Sequence, residues 1–176
     1  MGMEDGQYSY VLMEKLQVNL LALPLRANFN RGLGRRELSV DLQQYLAGQL
    51  FDCLNHFHKV CELVHCDLKL ENIMINKDFG LSLIDFDFSR KISEVITDNL
   101  GTPGYQAPEM QIIPPSYHGA PVDIFAIGVI LYALDIQGYP FNLGLNSVGK
   151  KYQPSVTKSR YEEMKKSYLR KRALRV

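Results

Sequence analysis

The sequence predicts an α+β fold that is mainly helical and contains one short β-hairpin. Apolar residues recur at spacings of three and four between residues 42 and 57, which indicates a helix with one buried face. Residues 123–134 are apolar on every side, which is typical of a helix enclosed in the core. Between them, two brief apolar segments flank residues 76–80, as in a hairpin.

The size and composition of the chain are those of a globular domain. It has 176 residues, of which 46% are apolar and 22% charged, and its net formal charge is +1. Such a chain can bury a core and does not have the composition of a disordered one. The longest apolar run, Ile124–Leu134, is too short to span a bilayer, so we expect no membrane partner. Myristoylation at Gly2 is not expected, because Gly6 stands where that motif needs Ser or Thr.

Charge divides the chain into an acidic body and a basic end. Residues 150–176 carry a net charge of +8 and the other residues carry −7. We therefore expect an N-terminal leader over residues 1–7, a folded region over 8–141 and a basic tail over 142–176. The tail is expected to be solvated, and nucleic acid is not favoured as its partner, although an acidic partner or nuclear import stays open as an alternative.

Three cysteines without a C-x-x-C pair do not form a disulfide or zinc framework. We expect Cys53 and Cys61 to serve as small apolar side chains in a reducing compartment. The expected location is therefore cytoplasmic, with a nuclear location as the alternative that the basic tail leaves open.

In chain order, the first predicted element is a strand over Tyr8–Glu14, which is rich in β-formers. A loop over residues 25–38 precedes the first helix. Ser39 is its expected N-cap, Asp41 lies in its first turn, and it is expected to end near Cys61.

Leu63–Val64 is expected to begin a β segment after this helix. Strands over Ile73–Ile75 and Leu81–Ile84 form the hairpin, with Gly80 available for a positive φ. Residues 85–120 lack periodicity and are expected to be irregular before the second helix.

Two glycine-containing segments approach phosphate-binding motifs without matching them. Gly144–Lys151 lacks the hydroxyl of the G-x-x-x-x-G-K-[ST] loop, and no apolar strand leads into it. Gly32–Glu37 lacks the third glycine of a dinucleotide fingerprint. Surface loops account better for both.

The residues most suited to chemistry lie between the two predicted helices. Asp67 is a carboxylate that could orient or deprotonate a hydroxyl, and Lys69 could neutralise a phosphate. Asn72 and Asp85 offer the hard oxygen ligands that Mg²⁺ prefers, and the hairpin between them could return Asp85 towards Asn72. Alone, each would be a solvated turn or cap residue. Together they supply what phosphoryl transfer requires.

At these residues the sequence resembles the C-terminal lobe of eukaryotic-type serine/threonine protein kinases, over about residues 8–141. Several motifs at family spacing make this resemblance specific. They are His65–Asn72, Asp85–Asp87, Gly101–Glu109, Asp123–Gly128 and Gly138–Phe141, and upstream Val11–Leu16 is similar to the strand and hinge that hold adenine. The implied fold is a protein-kinase-like C-terminal lobe.

The resemblance also implies roles for single residues. Asp67 would accept the proton of the substrate hydroxyl, Lys69 would contact the γ-phosphate, and Thr102 would hydrogen-bond this pair. The residues implied to bind ATP and Mg²⁺ are Glu14 and Leu16 at the hinge, Met74 below the adenine, Lys69 at the phosphate, and Asn72 and Asp85 at the metal. The residues implied to support the site are His65 and Phe86, which would stack, Asp123, which would brace the loop, and Glu109, which would anchor the activation segment.

Three departures from the family pattern bear on activity. The sequence begins at the hinge, so it contains no counterpart of the glycine-rich loop, its lysine or the glutamate partner. Asp87 replaces the glycine of the Asp-Phe-Gly motif, which restricts the backbone and adds a carboxylate beside the metal. Cys66 replaces the arginine that pairs with an activation-loop phosphate, so control through Ser93 or Thr97 is not expected.

The resemblance implies an ATP:protein phosphotransferase that uses Mg²⁺ and acts on Ser or Thr hydroxyls of a protein substrate. Because of the departures, we expect this chain to be inactive alone and to be a fragment, or else a module that needs a separate N-terminal lobe. The alternative is a pseudokinase-type decoy or scaffold that binds kinases or their substrates.

Overall fold

The structure, a computed structural model, describes residues 2–4, 9–11, 15–22, 38–111, 115–136 and 139–140. Within them, helices α1 (Val40–Lys59) and α2 (Gly119–Ile136) contact each other beside several small antiparallel sheets. The predicted α+β class is therefore confirmed, with more strands than the predicted hairpin, the Tyr8–Glu14 strand and the β segment at Leu63–Val64. No helix in these ranges is both long and apolar enough to cross a bilayer.

Helix α1 begins as predicted. The Ser39 side chain accepts a hydrogen bond from the N–H of Leu42 at 3.3 Å, and Asp41 lies in the first turn. The helix ends at Lys59, two residues before the predicted end at Cys61. The chain leaves the helical conformation because Glu62 adopts φ +55° before it enters the next strand.

One face of α1 is buried, as the apolar spacing predicts. Leu46, Leu50 and Leu54 are each 2% exposed, and His58 continues the same stripe one turn later. Cys53 is half-buried, but Cys61 is exposed, so the expectation that Cys61 packs as a small apolar side chain is wrong. Cys61 lies beyond the end of the helix, where the stripe no longer faces the core.

The strands form four antiparallel sheets in the described ranges. They are β1 (Gly2–Glu4) with β2 (Ser9–Val11), β3 (Val18–Asn19) with β5 (Ile73–Ile75) and β6 (Leu81–Leu83) in the order β3-β5-β6, β4 (Leu63–Val64) with β7 (Arg90–Lys91), and β8 (Val95–Ile96) with β9 (Tyr117–His118). Strand β1 lies in the stretch expected to be a leader. The sequence does not predict this strand, because three residues are too few to show an alternating pattern.

The predicted hairpin is present, but its turn differs from the prediction. Strands β5 and β6 pair with Ile73 opposite Leu83 and Ile75 opposite Leu81. The positive φ falls on Phe79, at +61°, and not on Gly80. Gly80 is needed for space, because a Cβ there would lie 2.9 Å from the side-chain nitrogen of Asn76, whose Oδ1 accepts the Gly80 N–H.

The segment expected to be irregular contains three short strands and a 3-10 turn. Strands β7, β8 and β9 are each two residues long, which is too short for a sequence pattern to show. Helix α2 begins at Gly119, four residues before the predicted start at Asp123. Predictions for Glu14, Gly32–Glu37, Gly144–Lys151 and the tail over 142–176 lie outside the described residues.

Two apolar clusters lie on either side of the loop that connects β4 to β5. The first joins α1, α2 and the three-stranded sheet, and it includes Leu68 and Leu70 of the loop. The second joins β4, β8, β9 and the start of α2, and it includes Cys66 of the same loop. Asp67 therefore lies between side chains that are anchored in two different cores.

Candidate active site

The loop His65–Asn72 is held from behind by Asp123 of helix α2. The Asp123 carboxylate accepts the backbone N–H of His65 at 2.8 Å and that of Cys66 at 2.9 Å. Its Oδ2 also lies 2.9 Å from Nε2 of His58 in α1. Asp123 is only 1% exposed, and these partners satisfy a carboxylate that would be costly to bury alone. The contacts agree with the bracing position that the resemblance implies.

Cys66 and Gly101 meet directly behind the Asp67 side chain. Cys66 adopts φ +64°, and Gly101 adopts φ +80°. A Cβ at position 101 would lie 2.6 Å from the carbonyl oxygen of Cys66. Glycine is therefore required at 101 both by the backbone angle and by the close approach.

The Cys66 thiol is buried in the second apolar cluster and is 4% exposed. Burial and, to a lesser extent, the nearby Asp123 carboxylate raise the pKa of this thiol to about 12. The neutral form is a poor nucleophile, so the geometry gives Cys66 a packing role.

Asp67, Lys69 and Thr102 form a closed triangle of polar contacts. The Lys69 ammonium donates to Asp67 Oδ2 at 2.7 Å and to Thr102 Oγ1 at 3.2 Å. The Thr102 hydroxyl donates to Asp67 Oδ1 at 2.7 Å. Asp67 is 5% exposed, whereas the Lys69 side chain is 20% exposed. The arrangement fixes both oxygens of a carboxylate and leaves the cation partly open to solvent.

Thr102 reaches this triangle because its own segment is folded back on itself. The N–H of Tyr105 bonds to the Thr102 carbonyl at 3.1 Å, which closes a turn. The Gln106 side chain donates to the carbonyl of Leu100 at 2.8 Å. Glu109, the implied anchor, is 7% exposed in the 3-10 turn Pro108–Gln111 that follows.

Asn72 connects the triangle to the hairpin. Its side-chain Nδ2 donates to the Asp67 carbonyl at 3.0 Å and lies 3.4 Å from Asp67 Oδ2. The backbone carbonyl of Asn72 accepts the N–H of Ile84 at 3.0 Å, so the residue before Asp85 is hydrogen-bonded to Asn72. The hairpin thus returns Asp85 to the loop, as predicted. Asp85 is exposed and adopts φ +66°.

The residues implied to hold adenine are only partly within the described ranges. Met74 is half-buried in the central strand β5, on the face opposite the buried Ile73 and Ile75. Leu16 is half-buried and precedes Gln17, whose N–H bonds to the Ile75 carbonyl at 3.1 Å. Glu14 lies outside the described residues.

Three aromatic rings pack beside the triangle. The rings of His65 and Phe86 lie 5.4 Å apart, as the resemblance implies, and Phe57 of α1 stacks on Phe86 at 5.4 Å. The His65 ring accepts the N–H of Asp67 at Nδ1 and donates from Nε2 to the Ile84 carbonyl at 3.1 Å. This pair of bonds assigns the neutral tautomer with its proton on Nε2.

Sequence reasoning missed two of the residues that support the site. His58 follows Leu50 and Leu54 at spacings of four, a signal that could have located it on the buried stripe, where a histidine needs a polar partner. The sequence identifies Phe57 only as part of the apolar face of α1. Its ring contact depends on where the Asp85–Asp87 segment returns, which no local pattern specifies.

No cluster of three or more His, Cys, Asp or Glu side chains is placed to hold a metal ion in the part of the chain that the structure describes. A Mg²⁺ ion bound with a nucleotide takes few protein ligands, because phosphate oxygens and waters complete its shell. The amide oxygen of Asn72 and the exposed carboxylate of Asp85 are oxygen donors of the kind that such an ion accepts.

Comparison with known proteins shows the family. The protein kinase domain family matches residues 2–171. The chain is 36% identical over 145 residues to serine/threonine-protein kinase dkf-2 of Caenorhabditis briggsae, covering 80% of this chain and 11% of that protein. It is 35% identical over 109 residues to serine/threonine-protein kinase CHK1 of Saccharomyces cerevisiae, covering 58% of this chain and 21% of that protein. It is 32% identical over 136 residues to the cAMP-dependent protein kinase catalytic subunit PRKX of Mus musculus, covering 77% and 35%.

These relatives are all longer than this chain, which spans between 11% and 35% of the three proteins named. The residues that match the family include the loop, the triangle and the hairpin described above. The match to the family extends over nearly the whole sequence. The chain therefore belongs to the protein kinase domain family.

Proposed function

We propose that this chain provides the catalytic lobe of a serine/threonine protein kinase, which transfers the γ-phosphoryl group of ATP to a Ser or Thr hydroxyl of a protein. The observation that carries the proposal is the triangle of Asp67, Lys69 and Thr102. Phosphoryl transfer depends mainly on positioning and electrostatics, and this set provides a fixed carboxylate beside a cation.

In this proposal each member of the triangle has a separate role. Asp67 accepts the proton of the substrate hydroxyl, and its orientation is set by the bonds to both of its oxygens. Lys69, which donates to Asp67 at 2.7 Å and remains partly open to solvent, would neutralise charge on the transferred phosphate. Thr102 holds the carboxylate and the ammonium in register.

The donor set near Asn72 fits Mg²⁺. The Nδ2 of Asn72 is used by Asp67, which leaves its amide oxygen as the available donor, and Asp85 presents an exposed carboxylate. Both are hard oxygen ligands. Asn72 and Asp85 would hold the ion, which when bound supplies positive charge to the phosphate oxygens. Met74, Leu16 and Glu14 are proposed to contact the adenine.

We also propose that the described residues correspond to the hinge and the C-terminal lobe of the family. The glycine-rich loop and the lysine that contacts the α- and β-phosphates would then come from an N-terminal lobe. Phosphotransfer is accordingly expected from a protein that combines both lobes, and not from these residues alone.

The test is transfer of labelled phosphate to a serine-containing protein substrate by a protein that combines this chain with a kinase N-terminal lobe. Asp67→Asn removes the proton acceptor while it keeps the size of the side chain, and we expect loss of transfer by about 100-fold or more. Asp78→Asn, at the exposed hairpin turn, is the matched control and should behave as wild type. Equal activity of Asp67→Asn and wild type would refute the proposal.

A scaffold that binds kinases or their substrates is the second candidate. It is favoured by Asp87, an exposed residue that stands where the family pattern has glycine and adds a carboxylate beside Asp85. Calorimetry with ATP and Mg²⁺ separates the two candidates. Nucleotide binding that Asp85→Asn weakens supports the kinase, whereas no binding by the protein that contains both lobes supports the scaffold.

A further inference from the structure

Phe57 occupies a position from which it can control the segment that contains Asp85. It lies in the last turns of α1, and its ring stacks on that of Phe86 with centroids 5.4 Å apart and an interplanar angle of 25°. Phe86 is the next residue after Asp85 and is 48% exposed. Burial alone therefore does not fix the Phe86 ring, and the stacked partner supplies a defined position for it.

The same rings are connected to Asp67. His65 lies 5.4 Å from Phe86 and 6.1 Å from Phe57, at tilts of 53° and 50°. Its ring bonds to the N–H of Asp67 on one side and to the carbonyl of Ile84 on the other. We call Phe57, His65 and Phe86 the aromatic trio. It joins the proposed proton acceptor to the residues on both sides of Asp85.

Asp85 needs such support because its backbone is in an unfavourable conformation. Its φ of +66° lies in the left-handed region, which residues other than glycine adopt uncommonly, although Asp adopts it more often than most. Strained angles persist only where the surroundings enforce them. Here the enforcing contacts are the His65–Ile84 bond before Asp85, the ring stack at Phe86, and the turn in which the Ser89 N–H bonds to the Phe86 carbonyl at 2.9 Å.

We infer that Phe57 is a positioning residue for the proposed phosphoryl transfer, acting through Phe86 to hold the Asp85 carboxylate beside Asn72. The inference rests on the proposed function for the role of Asp85. The placement of Asp85 by Phe57 can be tested whether or not the proposed function holds. Phe57 itself contacts neither the proposed metal ligands nor the triangle in the contacts described above.

The test compares three variants of the full chain by amide hydrogen exchange. Phe57→Leu removes the ring but keeps an apolar side chain, Phe57→Tyr keeps the ring, and Phe51→Leu removes a ring that is 46% exposed on the same helix. The Ser89 amide is the reporter, because its bond to the Phe86 carbonyl opens when Phe86 moves. The Tyr105 amide, bonded within the Thr102 turn, reports on general loosening.

We expect the Ser89 amide of Phe57→Leu to exchange roughly two- to tenfold faster than in wild type, the range that loss of one aromatic pair allows. Exchange in Phe57→Tyr and Phe51→Leu should match wild type, and exchange at Tyr105 should not change. Wild-type exchange at Ser89 in Phe57→Leu overturns the inference. So does an equal increase in Phe51→Leu or at Tyr105, since that indicates a loss of stability in general.

A kinetic measurement distinguishes this inference from the proposed function. If the protein transfers phosphate, Phe57→Leu should raise the Mg²⁺ concentration needed for half-maximal rate and leave the KM for the protein substrate unchanged. A rise in that KM with an unchanged Mg²⁺ requirement overturns the positioning role. If wild type transfers no phosphate, the proposed function fails, and the exchange at Ser89 alone decides whether Phe57 places Asp85.

Discussion

At the scale of single residues, the site depends on contacts that fix both oxygens of one carboxylate. Lys69 takes Oδ2 of Asp67 and Thr102 takes Oδ1, so neither oxygen is free to rotate to a different partner. Thr102 also accepts from Lys69, which makes the position of each side chain depend on the other two. Removal of any one contact is therefore expected to affect catalysis more than stability.

Thr102 offers a test of this dependence. Thr102→Val keeps the shape of the side chain but loses the hydroxyl that donates to Asp67, so we expect kcat to fall by roughly 10- to 100-fold. Thr102→Ser keeps the hydroxyl and should retain most of the activity. Both variants are compared with wild type in the labelled-phosphate assay, with thermal unfolding as the control for folding. A Val variant with wild-type kcat would show that the triangle is not needed.

Gly101 offers a test of stability at the same place. We expect Gly101→Ala to lower the free energy of unfolding by about 1–3 kcal/mol from its φ of +80° alone, and by more because the new Cβ meets the Cys66 carbonyl. Gly104→Ala is the matched control, since it has φ +100° and no atom within 4 Å of its Cβ. Urea unfolding measures both. Equal losses in the two variants would mean that the close approach to Cys66 costs nothing.

At the scale of elements, the start of α2 is packed against the strand that leads into the loop. A Cβ at Gly119 would lie 2.3 Å from Cγ2 of Val64, the last residue of β4. Four residues later Asp123 bonds the two amides that follow Val64. Helix α2 therefore positions the loop through two kinds of contact, which are close packing against Val64 in its first turn and hydrogen bonds to Asp123 in its second.

This packing predicts a large effect from a small substitution. Gly119→Ala should lower the free energy of unfolding by about 1–3 kcal/mol, because the added methyl group overpacks Val64. Gly128→Ala, in the same helix with no atom within 4 Å of its Cβ, should instead stabilise by up to about 1 kcal/mol through helix propensity. Thermal or urea unfolding of both variants gives the comparison. A neutral Gly119→Ala would show that β4 can move away from α2 at no cost.

At the scale of the whole molecule, the site loop is anchored in two apolar clusters, so global stability and site geometry are coupled. Several ionisable groups in these clusters have a higher pKa in the folded state than in the unfolded state. Burial raises the pKa of Cys66 from 9.0 to about 12 and that of Tyr117 from 10.0 to about 12, and it also raises the pKa of Tyr105. Each group favours the folded state most at pH values below its unfolded pKa.

Stability is therefore expected to fall with rising pH above about 9. Between pH 9 and pH 12 the unfolded Cys66 loses its proton while the folded thiol keeps it, so the free energy of unfolding decreases by about 1 kcal/mol per pH unit from this group. Urea unfolding at pH 8, 9 and 10 measures the slope. Cys66→Ala should reduce the slope, and the exposed Cys61→Ala should leave it unchanged. A slope that Cys66→Ala does not change would contradict the assignment.

The sequence predicted well those elements that are long or have a strong hydrophobic pattern. The periodic stripe of α1, its Ser39 cap, the all-apolar α2 and the two hairpin strands were predicted from residues close together in the chain. The two-residue strands β7, β8 and β9 were missed, because they form only when distant segments meet. The positive φ was placed on Gly80 because glycine tolerates it best, but the side-chain oxygen of Asn76 closes the turn and leaves Phe79 with that angle.

By itself, the sequence determined which chemical groups this protein has and in what order, and hence the kinase resemblance, the identities of Asp67, Lys69, Asn72, Asp85 and Thr102, and the two helices. These follow from local residue types and spacings. Only the tertiary structure decided how Thr102 reaches Asp67 across 35 positions, how Asp123 and His58 hold the loop, and that Phe57 stacks on Phe86. The reason is physical: hydrogen bonds and ring contacts between distant segments depend on how two apolar cores pack, and no local pattern encodes that packing.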